Sequence, residues 1–169
     1  MMESETSQVR DILAPFCKGD GLDIGYGGDP IIPTAICMDL PRPYTKVGEH
    51  PQHLHGDCRS LPFKDGTLGF VYSSHLIEDF SYDEQVEILK EWIRVLRGNG
   101  RLVICAPDQQ RYVEYCRAQG EEPNQGHKEA DYSWDTFERM VFPRLERVRE
   151  HRLWSVLGKY SWAVVMAKV

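Results

Sequence analysis

Long hydrophobic runs are missing from this chain. The longest, such as residues 163–167, fall far below the roughly 20 apolar residues that a membrane-spanning helix needs. A leader pattern is missing too, because the opening MMESETSQVR is acidic and polar where a secretory signal is basic and then apolar. Cysteine pairing is equally absent. Cys17, Cys37, Cys58, Cys105 and Cys116 are scattered, odd in number and without a CxxC pair, which points to reduced thiols instead of a disulfide frame or zinc knuckle. There is no basic excess. A net charge of -6 argues against nucleic acid as the main partner, and Arg139, Arg144, Arg147, Arg149 and Arg152 alternate with acids as on a solvated face. These absences lead us to expect a cytoplasmic protein with no membrane and no nucleic-acid partner. The 169 residues suffice for a single domain, 1–169, with a proper core.

What is present is organised around GLDIGYGGDP, residues 21–30. An apolar lead-in, the Asp23 carboxylate and the close glycines Gly25, Gly27 and Gly28 read as a buried strand ending in a tight loop. Glycine permits positive φ there and lets a ligand approach without a Cβ in the way. In an open parallel sheet, ligands bind beyond the carboxyl ends of the strands. The dinucleotide fingerprint is incomplete, since Pro30 stands where its third glycine belongs. Pro30, Pro33, Pro41 and Pro43 also leave little room for the helix whose N-terminus would face a pyrophosphate. NAD is therefore disfavoured, and a nucleotide without a pyrophosphate fits better.

Val9, Ile12, Leu13 and Phe16 recur at helical spacing ahead of this strand, and Gly19 supplies a stop. Residues 34–38 form a second apolar strand ending at Asp39. An acid in that place suits the two hydroxyls of a ribose, and a solvated loop carboxylate is the competing reading. Further strands are expected near residues 53–55, 68–72 and 101–106. Between the last two, Ser81 and Glu84 form a capping box, and Val86, Leu89, Ile93 and Leu96 mark a buried helical stripe that Gly98-Asn99-Gly100 terminates. Tyr112 and Tyr115 sit on a short helix, and the polar stretch QGEEPNQGHKEADYS is the candidate lid. Ser133 caps a helix running to about Met140, and residues 145–154 and 161–169 close the chain as a hairpin around Gly158.

His53, His55 and Asp57 spell HxHxD, the opening of a metallo-hydrolase site. Imidazoles two apart on a loop can share a metal. His75, His127 and His151 do not complete a matching pattern, so surface histidines are the favoured reading and no metal is expected.

The order GLDIGYGG, MDL, GDCRSLPF, FVYSSHLIEDF and EWIRVLRGNGRLVICAPD resembles a class I S-adenosylmethionine (SAM)-dependent methyltransferase of the compact type-11-like branch, from about Gly21 to Asp108. The resemblance implies an α/β, Rossmann-like class I methyltransferase sheet, mostly parallel with a C-terminal antiparallel hairpin and an abbreviated first helix. It implies SAM as cofactor, with Asp23, Gly25, Tyr26 and Gly27 lining it and Asp39, followed by Leu40, taking the ribose hydroxyls. Asp57 with Cys58 would face the adenine, and Ser73, Ser74 and His75 would border the methyl group. Glu78-Asp79 stands where many relatives have Glu-His, and Asn99 replaces a usual glycine.

Methyl transfer from a sulfonium mainly requires alignment of donor and acceptor, with a base only where the acceptor must lose a proton. His75 is the first candidate base, followed by Asp108 and His127; each has a structural alternative, as a strand cap, a turn anchor or a solvent-exposed loop residue. The expected activity is methylation of a small-molecule or saccharide acceptor. The rival readings are a non-catalytic SAM-binding or scaffold protein and a hydrolase built on His53, His55 and Asp57.

Overall fold

The computed structural model describes residues 3–43 and 46–169. Its strands are β1 (Gly21–Ile24), β2 (Ile36–Asp39), β3 (Leu54–His55), β4 (Leu68–Ser74), β5 (Leu96–Pro107), β6 (Val148–Leu157) and β7 (Ser161–Lys168). They form one seven-stranded sheet in the order β3-β2-β1-β4-β5-β7-β6. The pairs from β3 through β5 are parallel, whereas β7 runs antiparallel to both β5 and β6. This is the expected mixed sheet with its closing hairpin, and Gly158 turns that hairpin at φ 60°. The order reverses between β1 and β4, and such a switch point opens a crevice at the carboxyl ends of the strands.

Four helices, α1 (Glu5–Leu13), α2 (Tyr82–Val95), α3 (Gln109–Gln119) and α4 (Trp134–Met140), accompany the sheet. Helix α2 begins at the expected capping box, Ser81 accepting from the Glu84 amide while the Glu84 side chain accepts from the Ser81 amide. Its Val86, Leu89, Trp92 and Ile93 pack with Val71, Leu102, Ile104 and Trp162 of the sheet. Each such side chain contributes about 1.5–3 kcal/mol when fully buried. The Trp92 indole also donates to the Cys58 carbonyl at 2.9 Å, pinning the loop after β3 to the helix.

Leu96 departs from the expected helical stripe. It takes extended backbone at the end of α2 and pairs with Leu68, so β5 starts there. Gly98, Asn99 and Gly100 consequently lie inside β5, in a register shift that Asn99 accommodates at φ 61°. The run read as a helix terminator is a strand irregularity.

The opposite face of the sheet has an unusual cover. No helix lies between β1 and β2; Ile31 and Ala35 of that link join Val9 and Leu13 of α1 over Phe70, Tyr72, Val103 and Val165. The N-terminal helix thus shares the surface that a longer crossover helix would have filled. This places α1 beside the switch point.

Candidate functional site

Strand β1 delivers Asp23 and the glycine loop to the crevice. Asp23 is buried, and its carboxylate accepts from the Ile31 amide at 2.7 Å while Oδ1 finds no partner. Burial, reinforced by the charges of Asp29 and Asp39, raises its pKa well above the carboxylate range. Gly25, Gly27 and Gly28 all have positive φ, as the sequence requires of them. Tyr26 turns inward, and its hydroxyl donates to the His50 carbonyl at 2.8 Å.

Asp39 ends β2 beside this loop. Its carboxylate accepts from the Gly27 amide at 3.3 Å and from the Leu40 amide at 2.8 Å, which orients it without exhausting its acceptor capacity. Partial burial raises its pKa. Asp57 lies farther along the edge and organises its own turn, accepting from the Arg59 amide at 2.8 Å and from the guanidinium at 3.1 Å. The neighbouring Cys58 is buried, and desolvation pushes its thiol up to about 12, so it offers backbone and not a nucleophile.

The residues of HxHxD are engaged one by one. His53 Nδ1 accepts from the Cys37 amide, His55 contacts Gln52, and Asp57 serves its turn. Among the described residues, no three histidine, cysteine, aspartate or glutamate side chains gather as a metal would need.

On the other side of the switch point, β4 runs out through Ser73, Ser74 and His75. The hydroxyls of both serines are enclosed without a hydrogen-bond partner. His75 sits at φ 52°, a left-handed conformation that is uncommon outside glycine. Its Nε2 lies 2.9 Å from the Ser161 hydroxyl and 3.7 Å from a Glu5 carboxylate oxygen, and its Nδ1 lies 3.8 Å from Glu78. Desolvation lowers its pKa, and Glu5 only partly opposes this.

His127 arrives from the loop after α3. Its Nδ1 lies 2.6 Å from Gln109 Oε1, and its Nε2 lies 3.8 Å from the same Glu78 oxygen that faces His75. Burial and the nearby His75 lower its pKa to about 4, so the ring is neutral at physiological pH. The loop is tied down where the lid was expected: the Lys128 amide donates to the Glu78 carbonyl at 3.0 Å, and Asn124 bonds the Tyr112 hydroxyl.

Asp108 is the N-cap of α3. It accepts from the Arg111 amide at 3.0 Å, and its own amide donates to Tyr160.

Sequence reasoning did not single out the centre of the cluster. Glu78 is 1% exposed, with Oε2 unpartnered, and burial followed by the charges of Asp79 and Glu5 raises its pKa well above the usual range. Glu5 comes from α1, where its carboxylate accepts from the Tyr160 hydroxyl. The sequence marked Glu78 only through the Glu78-Asp79 pair, and Glu5 is an ordinary first-turn helix acid that meets His75 only in the folded chain. Two open clefts of about 620 and 600 Å3 lie elsewhere, on the outer side of α2 and near the start of β5. The first is lined by ion pairs of α2, among them Glu87–Lys90 and Glu91–Arg94.

Residues 34–104 match a family described as "Methyltransferase domain". No curated protein matches the chain in sequence. Among solved structures, it is similar to a SAM dependent methyltransferase from Aquifex aeolicus at 17% identity, covering 96% of this chain and 93% of that one, with a TM-score of 0.61. A Pyrococcus horikoshii protein aligns at 16% identity over 96% and 88% of the two chains, with a TM-score of 0.70. A SAM dependent methyltransferase from Archaeoglobus fulgidus aligns at 15% identity over 98% and 95%, with a TM-score of 0.64. At these identities the likeness is one of fold.

Proposed function

The chain carries the class I SAM-dependent methyltransferase fold with a methyltransferase-domain signature, and from that premise we propose that it transfers a methyl group from SAM to a small-molecule or saccharide acceptor. The observation that carries this reading is Asp39. It ends the strand next to the switch point, held by the Gly27 amide, with acceptor positions left over for hydroxyl donors. The unpartnered Asp23 Oδ1 and Ser73 hydroxyl, both buried, are further polar atoms that suit a polar ligand.

In this reading Asp39 holds the ribose hydroxyls, the Gly25–Gly27 turn gives the ligand backbone-close access, and the Asp57–Cys58 turn borders the adenine. Bound SAM supplies an already activated methyl group. The chain's task is to align the acceptor and exclude water, with His75 and His127 as neutral imidazoles able to accept a proton. Asp108 acts as an anchor for α3.

One observation favours a second reading, a non-catalytic protein on the same fold. The Val47 and His50 amides donate to the Gly27 and Gly28 carbonyls, so the link after β2 packs onto the glycine loop.

Calorimetric titration with SAM and its demethylated product, S-adenosylhomocysteine, separates the two. Micromolar binding that falls at least tenfold in Asp39→Ala supports the methyltransferase reading; no binding of either ligand overturns it and leaves the non-catalytic one.

A further inference from the structure

Four aromatic rings follow one another around Glu78. The His75 ring centroid lies 5.8 Å from that of Tyr160, Tyr160 lies 5.0 Å from Tyr112, and Tyr112 lies 5.1 Å from His127. Both ends of this arc return to the same oxygen, since His75 and His127 each stand 3.8 Å from Glu78 Oε1. Glu5 reaches the arc from α1, bonded to the Tyr160 hydroxyl and 3.7 Å from His75. Asp79 adds a third carboxylate, with one oxygen enclosed and unpartnered.

The ion-pair partners of Glu78 and Glu5 are imidazoles, not a fixed cation. Among the described residues, no lysine or arginine side chain comes within ion-pair distance of Glu5, Glu78 or Asp79. Lys159 pairs instead with Glu3 and lies over the Tyr115 ring, and Lys128 bonds Glu78 through its backbone amide while its charge acts on Asp79. A buried carboxylate without a cation is costly unless it is protonated or a ligand brings the missing charge. Aromatic faces beside carboxylates favour one kind of ligand above others, an ammonium group, which the ring quadrupoles and the carboxylates both attract.

Resting on the methyltransferase reading above, we propose that the acceptor is an amine, recognised as its ammonium by Glu78, Glu5 and Asp79 against the rings of Tyr112 and Tyr160. The bound ammonium gives up one proton to the neutral imidazole of His75, whose basicity Glu5 partly restores, and so exposes the nitrogen lone pair. That pair forms the new nitrogen–carbon bond as the methyl–sulfur bond breaks, its electrons staying on sulfur. The product nitrogen keeps a single positive charge.

The test uses full-length protein saturated with S-adenosylhomocysteine and two probes of matching shape, benzylamine and benzyl alcohol. Imidazole proton shifts of His75 and His127 report binding at neutral pH, where only the amine is charged. Benzylamine should bind at least tenfold more tightly than the alcohol, and both Glu78→Gln and Glu5→Gln should remove that preference without changing S-adenosylhomocysteine affinity. Equal binding of the probes, or no binding of either to loaded protein, overturns the proposal. So does a Glu78→Gln loss of SAM relative to S-adenosylhomocysteine, which would assign the carboxylate to the sulfonium. Failure of the unaltered protein to bind S-adenosylhomocysteine or SAM instead sinks the methyltransferase reading itself.

Discussion

Gly28 and Gly48 meet backbone to backbone: a Cβ on Gly28 would lie 2.1 Å from the Gly48 carbonyl oxygen, and one on Gly48 would lie as close to Gly28. The link after β2 can therefore seat on the glycine loop only while both positions stay bare. With no helix between β1 and β2, this contact and the Tyr26–His50 bond hold the loop in shape.

Gly28→Ala should consequently destabilise the protein by about 2–4 kcal/mol, combining left-handed strain with the backbone clash. Gly66→Ala is the control, with φ 70° but open space around the position, and should cost about 1 kcal/mol. Denaturant unfolding of both variants measures the difference; equal losses would show that strain alone matters at Gly28.

Nuclear magnetic resonance titration of the imidazoles should place His127 at about 4 and His75 below the ordinary histidine value, burial being the main cause in each case. Because both folded values are depressed, the unfolded chain binds more protons as pH drops through the ordinary histidine range. These two residues therefore contribute stability that is present above about pH 6.5 and is lost as pH falls toward the folded values. Ordinary titration of His127 near 6.5 would contradict its enclosure against Gln109 and Glu78.

Asp23 has the opposite sign. Its folded pKa is raised, so its contribution is fully present below the ordinary carboxylate value and is lost as pH rises through the folded one. Asp23→Asn keeps an acceptor for the Ile31 amide and cannot ionise. Its stability relative to the unaltered protein should increase between about pH 4 and pH 8, read from melting temperatures across that range. A constant difference would mean that Asp23 is not buried as an acid.

Helix α1 should owe its position to packing more than to charge. The Arg10–Asp29 pair is close at 2.5 Å but about a third exposed, so Arg10→Ala should cost roughly 0.5–1 kcal/mol. Leu13 is fully buried, and Leu13→Ala should cost about 2–5 kcal/mol. Chemical denaturation of the two variants gives the comparison directly, and a larger loss for Arg10→Ala would reverse the assignment.

Local pattern carried a large part of the fold. The apolar run into Gly25, the Ser81–Glu84 box and the Gly158 turn each specify an element through contacts within a few residues, so they are readable in order. Leu96 was not, because its choice between the last helical turn and the first strand residue depends on pairing with Leu68. The candidate site divides in the same way. Asp39 stands where its strand ends, and the capping role of Asp108 lies within one helical turn.

The sequence by itself determined where β1 and β2 end, the glycine turn, and that Pro30 and Pro33 leave little room for a helix; the abbreviated helix expected there is absent. Only the tertiary structure decided that Glu78 lies between His75 and His127, that Glu5 meets Tyr160, and that Tyr112 completes the arc. Backbone geometry and hydrophobic period are local properties, whereas those meetings join α1, the β4 exit, α3 with its following loop, and the turn before β7. They exist once burial of both sheet faces has fixed the four segments against one another.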